Sequence, residues 1–326
     1  MNQLNARTGT AWFADPGPGR AIGLHSNTGN AVQLQFALDH EPTSGRPTMT
    51  LVEPLAVDIS VLGPMEISIG GVSVVPTARK TRSLLALLAV NSGRIMTTSR
   101  IREELWAEDP PRSASTTLQT YVMQLRNAFA AAAAGQPDNG RQLLETCGNG
   151  YLLNTGRGRS DLVEFDRQVA AGNRKVEDGD LFAASNLIRG ALDMWRGPAL
   201  VDVHRGSVLD AEVVRLEQRR RSVQERRIQI DLSVGRHYDV VDELAQLAFD
   251  DRTDEGVHGH LMLALYRCGR RAHALRTFHQ LRDAMLDELG LEPSPRLQRL
   301  QRAVLEADAD LDTGSHFSNT GSHFSK

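Results

Sequence analysis

Lysine is almost missing from this sequence. Lys80, Lys175 and Lys326 are the only three, so 34 of the 37 basic residues are arginine. Such usage fits a GC-rich coding sequence and assigns no function by itself. Cysteine is scarce too: Cys147 and Cys268 are too few for a disulfide framework. No apolar run approaches the ~18 residues of a membrane span. The N-terminus lacks a basic stretch followed by an apolar core, so no secretory signal is expected. These absences predict a cytoplasmic protein without a membrane partner. Signatures of catalysis are also wanting. Lys80-Thr81 has no glycine loop before it, so there is no phosphate-binding loop of the Walker type. No Gly-x-Ser-x-Gly elbow occurs. His258 and His260 stand at i, i+2 on a predicted helix, which sends them apart rather than onto one metal. No catalytic residue, metal or cofactor is expected.

What is present is a soluble composition, 40% hydrophobic and 24% charged, over 326 residues. That length suggests two or three domains. The formal charge of −3 argues mildly against a nucleic-acid binder. Its distribution reverses the argument. Residues 72–160 hold 11 basic and 6 acidic side chains, a net of +5. Residues 1–71 are net −3 and residues 161–326 net −5.

Residues 1–54 mix Gly, Asn, Thr and Pro with little periodicity and read as a poorly ordered arm. Three short strands follow, at Ala56–Leu62, Met65–Ile69 and Val72–Val75, with Gly63-Pro64 and Gly70-Gly71 as turns. A helix from about Thr77 presents Leu84, Leu85, Leu87, Leu88 and Ile95 on one face. A second helix spans Thr98–Trp106, with Ile101, Leu105 and Trp106 inward, and Asp109-Pro110-Pro111 ends it. A third spans about Ser113–Ala130. Leu143–Cys147 and Tyr151–Asn154 form a hairpin across Gly148-Asn149-Gly150. Gly156–Ser160 reads as a linker. Beyond it the chain is helical, near 161–177, 180–196, 208–234, 238–249, 256–268, 271–289 and 295–309. Residues 310–326, with Thr-Gly-Ser-His-Phe-Ser twice, read as a disordered tail.

The helical part carries an irregular repeat. Gly179, Gly235 and Gly269 each precede a small or branched residue at the fifth position, Ala184, Val240 and Ala274. Larger apolar residues follow at the ninth, Ile188, Leu244 and Phe278. The step between the last two glycines is 34 residues, the tetratricopeptide period, and the step before it is 56. The expected fold is therefore mainly α. A winged helix-turn-helix occupies 55–156, with a small β-sheet, three helices and a β-hairpin wing, and an all-α tetratricopeptide-like domain occupies 161–309.

A winged helix puts its last helix in the DNA major groove and its hairpin beside the backbone. The third helix buries Leu118, Val122, Leu125 and Phe129. Its other side offers Thr116, Thr117, Thr120, Tyr121, Gln124, Arg126 and Asn127, whose short, amide-bearing or basic side chains suit base edges and phosphates. Arg79, Lys80, Arg94 and Arg100 are candidate phosphate contacts, and Arg141 and Asn149 would serve the wing. Arg219-Arg220-Arg221 with Arg226-Arg227 read as a solvated, salt-bridged helix face.

Several stretches together resemble the Streptomyces antibiotic regulatory proteins. They are Val61-Leu62-Gly63-Pro64-Met65-Glu66, Leu84–Ala89, Leu105-Trp106, Thr117–Arg126, Gly150-Tyr151-Leu152-Leu153, Ala191–Leu200, Leu261–Arg270 and Glu288–Ser294. The resemblance implies an OmpR-type winged helix joined to a bacterial transcriptional activator domain. It implies an activator of an antibiotic or other secondary-metabolite gene cluster. Such a protein would bind double-stranded DNA at direct repeats near the −35 region and recruit RNA polymerase holoenzyme. The loop after the second helix, with Trp106, Glu108 and Asp109, would face polymerase and its sigma factor. A second protomer would sit head-to-tail on the DNA. Members of the family often carry arginine where this chain has Gln124 and Asn127. An adaptor that binds protein through the winged helix, or a small-molecule sensor, are the other classes open to this sequence.

Overall fold

The computed structural model describes residues 56–133 and 142–312. The expected N-terminal arm, the candidate Arg141 and the tail from 313 lie outside them. Residues 310–312 of the expected tail are ordered, with Ala309–Leu311 in a 3-10 turn and Leu311 buried in the core. The described residues form one compact unit.

Three strands open it, β1 (Val57–Ser60), β2 (Glu66–Ile69) and β3 (Val72–Ser73), as an antiparallel sheet in that order. Val57, Ile59, Ile67 and Ile69 alternate inward, the period-two pattern of a half-buried sheet. Helix α1 (Arg79–Val90) follows, burying the apolar run Leu84 to Ala89 together with Thr81 and Ser83. It ends at Val90, so Ile95 does not extend its face and is 57% exposed. Then come β4 (Met96–Thr97), α2 (Thr98–Trp106) and α3 (Ala114–Ala132). The alanine run thus continues α3 two residues past its expected end. The hairpin β5 (Leu144–Cys147) and β6 (Gly150–Leu153) pairs through β6 with β4, giving a second sheet of order β4-β6-β5.

Seven helices follow: α4 (Asp161–Glu177), α5 (Leu181–Leu192), α6 (Ser207–Ser233), α7 (His237–Asp250), α8 (Glu255–Arg267), α9 (Arg271–Leu289) and α10 (Pro295–Glu306). The repeat glycines 179, 235 and 269 sit between helices at φ of +79°, +81° and +74°. That left-handed turn is why glycine stands there. Ala184, Val240 and Ala274, five residues on, are wholly buried, so the paired helices cross closely. The irregular 56-residue step also has a cause. The expected helix 180–196 stops at Leu192, and 193–206 leaves the helical array for the winged helix.

Gly156–Ser160 is not a free linker. Val57 N–H donates to the Thr155 carbonyl and Ile59 N–H to the Arg159 carbonyl, so the segment runs along β1. One hydrophobic cluster extends from Val57 through the winged helix, α4 and α5 into α6 at Ile230. A second begins at Ile228 and closes around α7 to α10. The core therefore divides along α6 and not at the 156–160 boundary.

The seam between the winged helix and the helices is held by carboxylates that accept backbone N–H groups. Glu104 of α2 is buried and takes Gly206 N–H at 2.6 Å and Leu209 N–H at 2.8 Å, capping the N-terminus of α6. An acid there also meets the positive end of the helix dipole. Asp161 accepts Val61 N–H and Leu62 N–H, and Asp202 accepts Met65 N–H and pairs with Arg82. Arg196 N–H and Leu200 N–H donate back to the Leu62 and Gly63 carbonyls. Gly63 adopts φ +146°, and a β-carbon there would lie 2.9 Å from that of Arg196. Both the backbone angle and the contact require glycine.

Two expectations follow. Glu104→Gln removes the charge behind two buried acceptor contacts and should cost about 2 kcal/mol in urea unfolding. Unchanged stability would contradict the capping role. The second concerns His260, which is buried on α8, and burial lowers its pKa from 6.5 to about 4. The folded protein keeps it neutral while the unfolded chain takes a proton, so stability is full above 6.5 and falls toward pH 4. His260→Asn should flatten that decline; an unaltered pH profile would exclude His260 as its source.

Candidate nucleic-acid interface

Helix α3 buries Ala114, Leu118, Val122, Leu125 and Phe129 against the core. Steps of four, four, three and four residues keep these on one stripe. Thr116, Thr120, Met123 and Asn127 form an outward stripe at steps of four, three and four, and all four are exposed. Gln124 is exposed beside them and its amide oxygen accepts from Thr81 Oγ at 3.2 Å. Its amide N–H groups keep their donor capacity. Thr120 Oγ donates to the Thr116 carbonyl within the helix, and Thr117, half-buried, donates weakly to Ser113 Oγ. No acid occupies the first turn of α3, so the positive end of its dipole is not offset there.

The remaining candidates divide into engaged and unengaged groups. Arg126 is engaged: its Nε and Nη2 donate to the Leu144 carbonyl at 3.0 and 2.8 Å, and Nη2 donates to Thr146 Oγ at 2.8 Å. Its guanidinium thus ties α3 to the wing. Tyr121 is half-buried and stacks on Trp106, with centroids 6.4 Å apart. Lys80 Nζ lies 5.1 Å above the same Trp106 ring. Trp106, expected inward, is half-buried between these groups. Arg79 donates to the His204 imidazole across the seam.

Arg94 and Arg100 are exposed, and no carboxylate lies within ion-pair distance of either among the described residues. Arg112 is exposed and Arg102 half-buried, and neither has a carboxylate within ion-pair distance among the described residues; the residue pattern alone did not single them out. Their signal was available: both flank the helix-turn-helix, in α2 and just before α3. In the wing turn, Asn149 is exposed, and its carbonyl accepts the backbone N–H and the hydroxyl of Thr98 at the start of α2. Wing, α2 and α3 are therefore bonded into one unit. Glu108 and Asp109 are exposed in the loop between α2 and α3, which begins at Ala107 with φ +50°.

Residues 73–153 match the family described as "Transcriptional regulatory protein, C terminal", and residues 160–305 match "Bacterial transcriptional activator domain". The regulatory protein DnrI of Streptomyces peucetius is 43% identical over 258 residues, covering 78% of this chain and 94% of that protein. The regulatory protein AfsR of Streptomyces griseus is 34% identical over 78% of this chain, which spans only 25% of that larger protein. Among solved structures, Mycobacterium tuberculosis EmbR in complex with a low-affinity phosphopeptide superposes with a TM-score of 0.70 at 28% identity. That match covers 78% of this chain and 66% of the EmbR chain.

The Arg126 geometry separates two roles by experiment. Arg126→Ala should raise hydrogen exchange in β5, because two carbonyl-directed bonds and one hydroxyl bond are lost. An unaffected wing would show that its guanidinium is not the tie.

Proposed function

This chain belongs to the Streptomyces antibiotic regulatory protein family and is a transcriptional activator of that type, and we propose from this premise how it engages a promoter. It binds double-stranded DNA at direct repeats near the −35 region of a secondary-metabolite gene cluster. Helix α3 enters the major groove. Thr116, Thr120, Gln124 and Asn127 read base edges, with Met123 between them for apolar contact. Arg94, Arg100, Arg102 and Arg112 contact phosphates, joined by Thr117 and by Arg79 and Lys80 where these can leave their seam partners. Arg126 and Tyr121 hold α3 and the wing in register, and Asn149, with Arg141, serves the wing.

The observation that carries this reading is the exposed α3 stripe flanked by arginines without carboxylate partners among the described residues. Cations left unneutralised by the fold can release counterions from DNA. A protein-binding adaptor would have no need of such a set.

Two protomers stand head-to-tail on the repeats, and both present the α2–α3 loop to RNA polymerase holoenzyme and its sigma factor. Trp106 holds the loop from beneath while Glu108 and Asp109 make the contact.

A gel-shift titration on cluster promoters at several salt concentrations tests the DNA reading. Four phosphate contacts per protomer give a slope of log affinity against log salt of about −3 to −4. Asn127→Ala should cost ~1–3 kcal/mol and relax preference at one base position, whereas Arg100→Ala should weaken all sequences alike. Binding without salt dependence or sequence preference would overturn the proposal. In vitro transcription at saturated DNA tests the loop: Glu108→Ala with Asp109→Ala should lower activation, and wild-type activation would move the polymerase contact elsewhere.

A further inference from the structure

The arginine run of α6 was expected to be a solvated face, and part of it is. Arg219 reaches Asp166 of α4, and Arg221 and Arg226 are exposed. Arg220 and Arg227 do something else. With Gln224 they lie at steps of four and three, one face of the helix, and that face lines a cleft of about 250 Å³. Arg189 and Asp193 of α5 and Glu243 of α7 complete its polar wall.

The charges in this cleft are not equally committed. Asp231, fully buried behind it, accepts from Ser185, Arg189 and Arg227. Arg227 is itself buried, and its second nitrogen is paired with Glu243, which also accepts from Gln224. These groups neutralise one another and form the rigid floor. Two cations keep spare donors. Arg189 spends only Nη2 on Asp231; its Nε is buried, and its Nη1 makes no hydrogen bond among the described residues and is the donor left for a ligand. Arg220 lies 4.9 Å above the Trp195 ring and is 3.9 Å from Glu217, beyond hydrogen-bond reach. One anion has spare capacity as well: Asp193, exposed at the C-terminal end of α5, makes no ion pair among the described residues.

We propose that this cleft is a binding site for a small zwitterion of the amino-acid type. The ligand's carboxylate takes the spare donors of Arg189 and Arg220, and its ammonium meets Asp193. A planar guanidinium pair suits a carboxylate, and charge-assisted bonds of this kind are the strong ones. The acids on the wall disfavour a dianion such as phosphate, and a cleft this size lies at the small end of ligand sites. The position is consequential. Helices α5, α6 and α7 converge there, where the first hydrophobic cluster hands over to the second.

Isothermal titration of the full chain against each of the twenty amino acids, with acetate and inorganic phosphate as controls, tests this. Intrinsic fluorescence is followed in parallel, because Arg220 covers Trp195. At least one amino acid should bind with a dissociation constant below roughly 10 mM and change the emission. Arg220→Gln and Asp193→Asn should each weaken it about tenfold or more, with circular dichroism unchanged. Both side chains lie at the rim, so these variants spare the buried Asp231 network. Absence of binding by all twenty would overturn the proposal. Binding that ignores Arg220→Gln would also overturn it. Equal binding of acetate or phosphate, insensitive to Asp193→Asn, would reduce the site to a simple anion site and refute the zwitterion.

Discussion

Everything in this molecule hangs on three carboxylates that accept backbone N–H groups across a seam. Glu104 caps α6, Asp161 holds the loop after β1, and Asp202 holds Met65 and pairs with Arg82. Glu104 is buried, a costly place for a carboxylate unless its oxygens are satisfied, while Asp161 is half-buried and Asp202 exposed; in each case partners are amides of another structural layer. Neither layer satisfies its polar groups alone. The same is true of the apolar side, because one cluster runs from the first sheet into α6. The helix-turn-helix and the activator helices are thereby a single folded object.

That constraint shapes the DNA reading. Glu103 and Glu104 of α2 bind the N-terminus of α6, and α2 leads directly into the loop that bears Glu108 and Asp109. The other face of the loop meets α3 through the Trp106–Tyr121 stack. A helix placed in the major groove therefore sets the direction of the loop and of the activator helices at once. Arg126 extends the same rigidity to the wing. Proteins bound to direct repeats would all point the same way, an arrangement that a head-to-tail contact preserves and a two-fold dimer does not.

Much of this was legible in the residues. Helical periodicity located every long helix, and the Leu118–Phe129 stripe separated the buried from the outward side of α3. Splitting the net charge placed the positive part on the winged helix. Three things were hidden, each for a physical reason. The seam joins residues about 100 to 137 apart in sequence, and one partner in each bond is a backbone amide that no side-chain pattern displays. The fate of each arginine depends on which carboxylate folding brings near it. Arg126 therefore seemed free for bases although it holds the wing, while Arg102 and Arg112 were overlooked. Finally, Ile95 was misplaced because local composition cannot show where a helix stops; Gly156–Ser160, which lies where the two family matches meet, runs along β1, and composition does not show which strand a segment lies beside.

The most direct test of the central claim is a pair of spin labels, one at Val72→Cys in β3 of the winged helix and one at Leu289→Cys at the end of α9. Both positions are exposed, and the native Cys147 and Cys268 are replaced beforehand. Pulsed dipolar spectroscopy then reads the distance between the winged helix and the far end of the activator helices. A single narrow distance, the same with and without promoter DNA, is the expected result. A broad distribution, or one that shifts when DNA binds, would show two bodies moving independently and would contradict the account.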